Sequence, residues 1–156
     1  MQLLFVCTGN TCRSPLAEAL ARRLIAERAL VDIEVSSAGT SAWPDAPASD
    51  GSLLVAMEHG IDLSEHRARQ LSPEIVGASD LILAMGPHHL DRAEALGGTS
   101  RSFLLTAFVH GADKAWPVRD PFGGDLTGYR ETLAELRREI GATLDRIVAN
   151  RSRRPS

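Results

Sequence analysis

The sequence has few cysteines, one lysine, few aromatic residues and no long apolar run. Its two cysteines, Cys7 and Cys12, are too few for a secreted disulfide framework or a thiolate metal centre. No segment approaches the roughly 18 apolar residues of a membrane span, and residues 3–6 are too short for a signal segment. The formal net charge of -3 lacks the basic excess of a nucleic-acid binder. We therefore expect a cytoplasmic protein that binds neither membrane nor nucleic acid.

The length of 156 residues and the 44% hydrophobic content suffice for one domain with its own core. We expect that domain to cover residues 1–150, followed by a basic, disordered tail over residues 151–156. His88 and His89 are adjacent, with no cysteine or carboxylate at ligand spacing, so we interpret them as a solvated helix start. No metal or other cofactor is expected, and the chain is expected to be a monomer.

Short apolar runs alternate with segments of helical periodicity along the chain. This alternation predicts a parallel sheet with right-handed crossovers and helices on both faces, a three-layer α/β sandwich. The predicted strands cover residues 2–6, 31–35, 81–84 and 102–105, and the predicted helices begin at Ser14, span about 50–59 and 88–96, and follow the apolar stripe from Tyr129 to Val148.

The segment after the first predicted strand carries the candidate chemistry. A thiol stands where the strand ends, an arginine where a helix begins, and small, turn-prone residues lie between them. Backbone N–H groups in such a turn, a helix N-terminus and a guanidinium together form an anion cradle, so we predict a phosphate-binding loop here. The loop reads Cys7, Thr8, Gly9, Asn10, Thr11, Cys12, Arg13 and Ser14.

Cys7 is the candidate nucleophile, because the positive potential of the cradle and of Arg13 favours a thiolate. Attack on phosphorus yields a phosphocysteine whose oxygens stay among fixed donors. Ser14 is placed to donate a hydrogen bond to the sulfur when it leaves. A cysteine with an arginine six residues later is a weak pattern alone; the buried strand, the Gly and Asn, and the Ser-Pro helix start make it specific.

Phosphoryl transfer also needs a proton donor for the leaving group and a base for water, roles that one carboxylic acid can fill in turn. Asp120 is the candidate, because it lies in a Pro/Gly loop beside the aromatic Phe122 rather than on a solvated helix face. An Asp-Pro pair is also a common start of a turn, so these features alone leave that alternative open.

The loop sequence with its Ser14-Pro15 helix start resembles the signature of the low-molecular-weight protein tyrosine phosphatase family. The resemblance covers nearly the whole chain. Its further landmarks are Ser37-Ala38-Gly39-Thr40, Gly60-Ile61-Asp62, the segment from His66 to Leu71, and Asp120-Pro121-Phe122.

This resemblance implies a four-stranded parallel sheet and a metal-free, two-step hydrolysis of a phosphorylated protein. It assigns Cys7 as nucleophile, Arg13 as phosphate binder and Asp120 as general acid and then base. Cys12 matches a cysteine that pairs with the nucleophile under oxidation. Asn10, Ser14, Ser37 and His66 match residues that hold the loop in shape.

Two departures from the common family pattern concern the substrate: Thr11 replaces an aliphatic residue, and Gly123 replaces a second aromatic after Phe122. Both features are similar to bacterial protein-arginine phosphatases, so we favour phosphoarginine over phosphotyrosine. Trp43 and Phe122 are expected at the pocket mouth. Trp43 favours phosphotyrosine, because tyrosine phosphatases of the family place an aromatic there, although it could equally anchor its loop on the core. An arsenate reductase, which normally needs further cysteines, and a phosphate-binding carrier are less favoured alternatives.

Overall fold

The computed structural model describes residues 1–152 of the chain. A π-helical turn at Glu94–Gly98 and a 3-10 turn at Ala112–Lys114 accompany the regular elements. The strands are β1 (Gln2–Cys7), β2 (Glu34–Gly39), β3 (Leu81–Ala84) and β4 (Ser102–Leu104), and the helices are α1 (Arg13–Glu27), α2 (Asp50–Glu58), α3 (Pro73–Gly77), α4 (Pro87–Ala93), α5 (Leu105–His110) and α6 (Leu126–Ser152).

The four strands form one sheet in the order β2-β1-β3-β4, and every pair is parallel. This confirms the predicted α/β class and the four-stranded parallel sheet. β1 is central: Cys7 pairs with Gly39 of β2, and Val6 pairs with Ala84 of β3. The carboxyl ends of these strands therefore meet at one edge, where ligands bind in open parallel sheets.

The side chains of β1 alternate between two apolar clusters, one on each face of the sheet. Leu3, Phe5 and Cys7 belong to the larger cluster, which includes apolar residues of α1 and α6. Leu4 and Val6 belong to the smaller cluster, with residues of α3 and α4. Helices thus cover both faces of the sheet, as the three-layer prediction requires.

The second strand lies three or four residues later than predicted. The alternating segment 31–35 was expected to be the strand, but Val31 is 93% exposed and the strand covers Glu34–Gly39. Its carboxyl end is buried although Ser37, Ala38 and Gly39 carry only small side chains. Gly39 is buried against the backbone of the loop that follows β1, whereas Ala38 belongs to the smaller apolar cluster.

Other element boundaries also differ from the prediction. Leu105, expected in the last strand, begins α5, and the short helices α3 and α5 were not predicted. α6 continues through Arg151 and Ser152, two residues into the predicted tail, where Arg151 forms an ion pair with Asp32 at 2.6 Å. The remainder of that predicted tail, residues 153–156, lies outside the described residues.

Within residues 1–152, no helix is both long and apolar enough to cross a lipid bilayer.

Candidate active site

The candidate site is a cavity of about 200 Å³ at the carboxyl end of β1. Cys7, the last residue of that strand, lies beside it and is 2% exposed. The following loop ends at Arg13, the first residue of α1. The cavity is lined by Cys7, Thr8, Gly9, Thr11, Cys12, Arg13, Asp120 and Phe122.

The peptide groups of the loop have their carbonyl oxygens bonded to the surrounding protein. The carbonyl oxygen of Cys7 accepts from the N–H of Thr40, and that of Thr8 accepts from the N–H of Ser41. The carbonyl oxygen of Thr11 accepts from the N–H of Ser49, and each of the three bonds is 2.9 Å long. In residues 1–152, by contrast, no backbone carbonyl accepts a bond from any N–H of residues 8–12. These N–H groups are therefore available to an anion bound in the cavity that the loop lines.

Asn10 fixes the shape of the loop from within. It is fully buried and has a φ of 56°, a left-handed conformation that Asn tolerates better than most residues. Its Nδ2 donates to the hydroxyl oxygens of Ser14 and Ser37 at 2.8 and 2.9 Å, and its Oδ1 accepts from the N–H of Arg69 at 2.9 Å. The backbone carbonyl oxygen of Asn10 accepts from Nε2 of His66 at 2.7 Å.

Gly39 lets the second strand approach this loop. A Cβ at Gly39 would lie 2.4 Å from the carbonyl oxygen of Thr8 and 2.9 Å from the backbone nitrogen of Asn10. Any larger residue would displace the loop backbone, so the glycine is required by close approach rather than by its φ angle.

The sulfur of Cys7 lies 2.9 Å from the hydroxyl oxygen of Ser14. Because Asn10 donates to that same oxygen, the hydroxyl proton of Ser14 is free to be donated to the sulfur. A hydrogen bond of this kind stabilises negative charge on sulfur.

Arg13 places a buried guanidinium beside the cavity, with its side chain 7% exposed. Its Nη1 donates to the carbonyl oxygen of Val118 at 3.0 Å and its Nη2 to the hydroxyl oxygen of Thr8 at 3.5 Å. Within the described chain its buried Nε has no acceptor, which leaves a donor for a ligand. Nη2 of Arg13 also lies 3.6 Å from Oδ2 of Asp120, a side chain that is 48% exposed. The other carboxylate oxygen of Asp120, Oδ1, accepts from the N–H of Phe122.

The comparisons with known proteins agree with this geometry. The family model for low molecular weight phosphotyrosine protein phosphatase matches residues 2–153. The chain belongs to this family.

Relatives in the family include both tyrosine and arginine phosphatases. The chain is 38% identical to a probable low molecular weight protein-tyrosine-phosphatase EpsP of Ralstonia nicotianae, over 94% of this chain and 96% of that protein. It is 37% identical to the protein-arginine-phosphatase of Bacillus subtilis, over 92% of this chain and 97% of the relative. A solved structure of a YwlE arginine phosphatase mutant with a phosphorylated active-site serine has a TM-score of 0.89 and 36% identity, covering 97% and 99% of the two chains.

Membership makes the chain a hydrolase of the protein phosphatase class, which acts on phosphorylated proteins. The cavity brings together the predicted nucleophile, phosphate binder and acid with the signature loop and Phe122, which is 71% exposed at its edge. Trp43 is not among the residues that line it, and this side chain is 81% exposed. That exposure also excludes the alternative of Trp43 anchoring its loop on the core.

Cys12 is buried and lines the same cavity as Cys7. Its thiol donates to the hydroxyl oxygen of Ser49 at 3.2 Å and lies 3.6 Å from the hydroxyl of Tyr129 on α6. Burial is the main cause that raises the pKa of Tyr129. The phenol is therefore a neutral partner for the Cys12 thiol.

The interpretation of His89 as part of a solvated helix start is wrong. Its side chain is fully buried, and its Nε2 lies 2.8 Å from the hydroxyl oxygen of Thr8. Burial, followed by the charges of His88 and Arg13, lowers the pKa of His89 to about 3. A sequence signal existed, because the helix that carries His89 begins directly after a buried strand and therefore at the same edge as Cys7.

Among residues 1–152, no group of three or more His, Cys, Asp or Glu side chains is arranged to hold a metal ion.

Proposed function

We propose that this chain hydrolyses phosphorylated protein side chains in two steps through a phosphocysteine at Cys7. The observation that carries the proposal is a single cavity lined by Cys7, Asp120 and the loop between Cys7 and Arg13, whose residues 8–12 donate no N–H to a backbone carbonyl of residues 1–152. These groups supply the nucleophile, the oxyanion donors and the acid that phosphoryl transfer requires.

In the first step the Cys7 thiolate attacks phosphorus. A sulfur–phosphorus bond forms, the bond from phosphorus to the side-chain oxygen or nitrogen breaks, and the leaving atom takes a proton from the Asp120 carboxyl group. Arg13 and the loop N–H groups bind the equatorial phosphoryl oxygens, where negative charge develops. The half-exposed position of Asp120 gives it access to a leaving group that extends toward solvent.

In the second step Asp120, now a carboxylate, accepts a proton from water while the water oxygen attacks phosphorus. The sulfur–phosphorus bond breaks and orthophosphate is released. Ser14 donates to the departing sulfur over the 2.9 Å contact, which stabilises the regenerated thiolate.

The substrate side chain that we propose is phosphoarginine, with phosphotyrosine as the alternative. Thr11 lines the cavity and offers a hydroxyl near the bound phosphoryl group. Phe122 is the one aromatic residue among those lining the cavity, and Gly123, with a φ of 80°, follows it. A phenol ring therefore has fewer apolar surfaces to pack against than a site with two aromatic walls offers.

Replacing the nucleophile tests the reaction class. We expect Cys7→Ser to abolish turnover of p-nitrophenyl phosphate while the circular dichroism spectrum and thermal unfolding stay those of the wild type. Mass spectrometry of acid-quenched wild type should detect a phosphorylated Cys7 peptide. Turnover that persists in Cys7→Ser would refute the proposal.

The substrate is tested separately from the reaction class. We expect a higher kcat/KM for a phosphoarginine peptide than for a phosphotyrosine peptide of the same surrounding sequence. Thr11→Ile should reduce this ratio by lowering the rate with phosphoarginine, while Thr11→Ser, which keeps the hydroxyl, should preserve it. A wild type that prefers phosphotyrosine would reverse the assignment without affecting the role of Cys7.

We further propose that the chain acts as a cytoplasmic monomer without a cofactor. All groups that the reaction requires come from one chain, and a reducing cytosol would keep the thiol of Cys7 available. Light scattering coupled to gel filtration, with activity assayed after chelation, checks the oligomeric state and the metal independence.

A further inference from the structure

His89 is a buried imidazole that the two-step chemistry leaves without a role. It lies on α4 with no exposed surface, and its contact with the phosphate-binding loop is the 2.8 Å approach of Nε2 to the hydroxyl oxygen of Thr8. In the described chain its Nδ1 has no hydrogen-bond partner. Burying a polar group without a partner lowers the stability of the fold. An apolar residue would be more stable at this position, which indicates that the imidazole has a functional role.

The hydroxyl of Thr8 has three hydrogen-bonding positions: one donated proton and two acceptor lone pairs. Nη2 of Arg13 lies 3.5 Å from this oxygen and can only donate to it. If Nε2 of His89 also donates, both lone pairs are occupied. The hydroxyl proton of Thr8 then has no protein acceptor among these neighbours and is left for a ligand.

The protonation state and tautomer of His89 decide whether its Nε2 donates to the Thr8 hydroxyl or accepts from it. The low pKa of His89, about 3 and caused mainly by burial, keeps the ring neutral at physiological pH, so one ring nitrogen carries a proton. If that proton were on Nδ1, a buried N–H would lack an acceptor, an arrangement rarer in proteins than an unpaired acceptor. The tautomer with the proton on Nε2 avoids this and makes His89 the donor to Thr8.

Thr8 itself lines the cavity beside Cys7 and Arg13. We propose that His89 is a positioning residue: its Nε2–H fixes the Thr8 hydroxyl so that Thr8 donates its proton to a phosphoryl oxygen bound in the cavity. Arg13 assists, because its Nη2 donates a hydrogen bond to the other lone pair of the same Thr8 oxygen. This inference rests on the proposed function for the identity of the bound group, an oxyanion of phosphorus.

A double-mutant cycle between the two residues tests the coupling. The variants are Thr8→Val, which removes the hydroxyl with little change of shape, His89→Leu, and the two combined. His89→Gln is the conservative rescue, because its terminal amide carries an N–H donor near the place of Nε2. His88→Leu is the matched control, because it removes the adjacent, exposed imidazole and leaves the contact with Thr8 in place.

Two quantities are measured for each variant: kcat/KM with p-nitrophenyl phosphate, and the Kd of orthophosphate by titration calorimetry. A hydrogen bond to a charged acceptor corresponds to a loss of about ten- to a hundredfold, which we expect for Thr8→Val and for His89→Leu. The double variant should lose no more than the worse single one. His89→Gln should recover most of the loss, and His88→Leu should stay within about twofold of the wild type.

Losses that multiply in the double variant would show that the residues act independently and would overturn the inference, as would a His89→Gln variant no better than His89→Leu. A merely structural role would lower the thermal stability of His89→Leu without this coupling. If His89→Leu does not fold, His89→Asn replaces it in the cycle, because its shorter amide ends near the place of Nδ1 and cannot reach Thr8.

The cycle also separates this inference from the proposed function. If the wild type hydrolyses p-nitrophenyl phosphate but the cycle shows no coupling, only the role of His89 fails. If the wild type shows no hydrolysis, the proposed function fails, and the coupling in orthophosphate Kd still decides whether His89 positions Thr8.

Discussion

The hydroxyl oxygen of Ser14 lies 2.9 Å from the sulfur of Cys7, across the junction of the first strand and the first helix. Asn10 donates to the same oxygen and so directs the Ser14 proton toward the sulfur. The side-chain amide of Asn10 therefore supports the backbone of the loop and also orients the hydroxyl that contacts its nucleophile.

Ser14→Ala should slow the second step more than the first. Without the hydroxyl, the sulfur is a poorer leaving group, and we expect kcat to fall by about ten- to a hundredfold. Rapid-quench kinetics should show a burst of p-nitrophenol followed by slow turnover. Ser41→Ala, which alters an exposed serine, is the control and should behave like the wild type. A Ser14→Ala variant without a burst would count against the assignment of Ser14 to sulfur departure.

Asp120→Asn should make the rate depend steeply on the leaving group. An amide cannot supply the proton, so hydrolysis of phenyl phosphate should fall by about 10²–10⁴-fold. p-Nitrophenyl phosphate should lose less in the first step, because p-nitrophenolate leaves without protonation. Single-turnover assays of both esters measure that step, with exposed Asp113→Asn as the control. Equal losses with both esters would contradict the role as general acid.

Asn10→Ala should destabilise the fold as well as reduce activity. The change removes three hydrogen bonds of the Asn10 side chain, two of them buried, and places alanine at a φ of 56°. We expect the free energy of unfolding in urea to fall by about 2–5 kcal/mol. The control Asn150→Ala lies on an exposed part of α6 and should change it by less than about 1 kcal/mol. Similar values for the two variants would mean that Asn10 does not hold the loop.

His89 should make the protein lose stability as the pH falls. In the folded state its pKa is about 3, against the ordinary value of 6.5 expected when unfolded. Between these values the unfolded chain binds a proton that the folded chain does not, so its contribution to stability is full above pH 6.5 and declines below it.

His89→Gln should therefore flatten the dependence of unfolding free energy on pH between about 6.5 and 4, measured by urea denaturation. His59→Gln, which removes an exposed imidazole, should keep the wild-type slope. If both variants had the same slope, His89 would not be held neutral by its surroundings.

Gly51→Ala should be destabilising because α2 packs tightly on Tyr129. A Cβ at this position would lie 2.4 to 2.6 Å from three ring carbons of the tyrosine. We expect a loss of about 1–3 kcal/mol in unfolding free energy, as for other overpacked positions. Gly77→Ala is the control, since its Cβ would meet nothing within 4 Å. Equal thermal midpoints for the two would show that the tyrosine can move aside.

Much of the fold was predictable because the central strands are unambiguous. Residues 3–6 and 81–84 are short apolar runs buried on both faces, and the structure has strands at Gln2–Cys7 and Leu81–Ala84, where residues 2–6 and 81–84 were predicted. β2 was misplaced because its buried half consists of small residues with little strand propensity. Their burial results from tertiary contacts, with the loop backbone at Gly39 and with the smaller apolar cluster at Ala38, and a local sequence pattern does not contain such contacts.

The residues of the candidate site also divide into those that local sequence predicts and those that depend on tertiary packing. Cys7, Arg13 and the loop between them form one continuous motif, so their juxtaposition followed from local sequence. Asp120 lies far along the chain and was located chiefly through the family resemblance. The burial of His89 depends on α4 packing beside the loop, and the sequence signal for it is indirect, because it consists only of a helix that begins directly after a buried strand.

The outward bonds of the loop carbonyls and of Asn10 reach partners from Ser37 to Arg69, and Arg13 reaches Val118. A peptide containing only the first strand and helix would possess every atom of the nucleophilic motif without the supports that turn its amides inward. The motif therefore does not form its anion-binding shape by itself. Grafting it onto another scaffold would succeed only if that scaffold supplied equivalent hydrogen-bond partners for the loop carbonyls, Asn10 and Arg13.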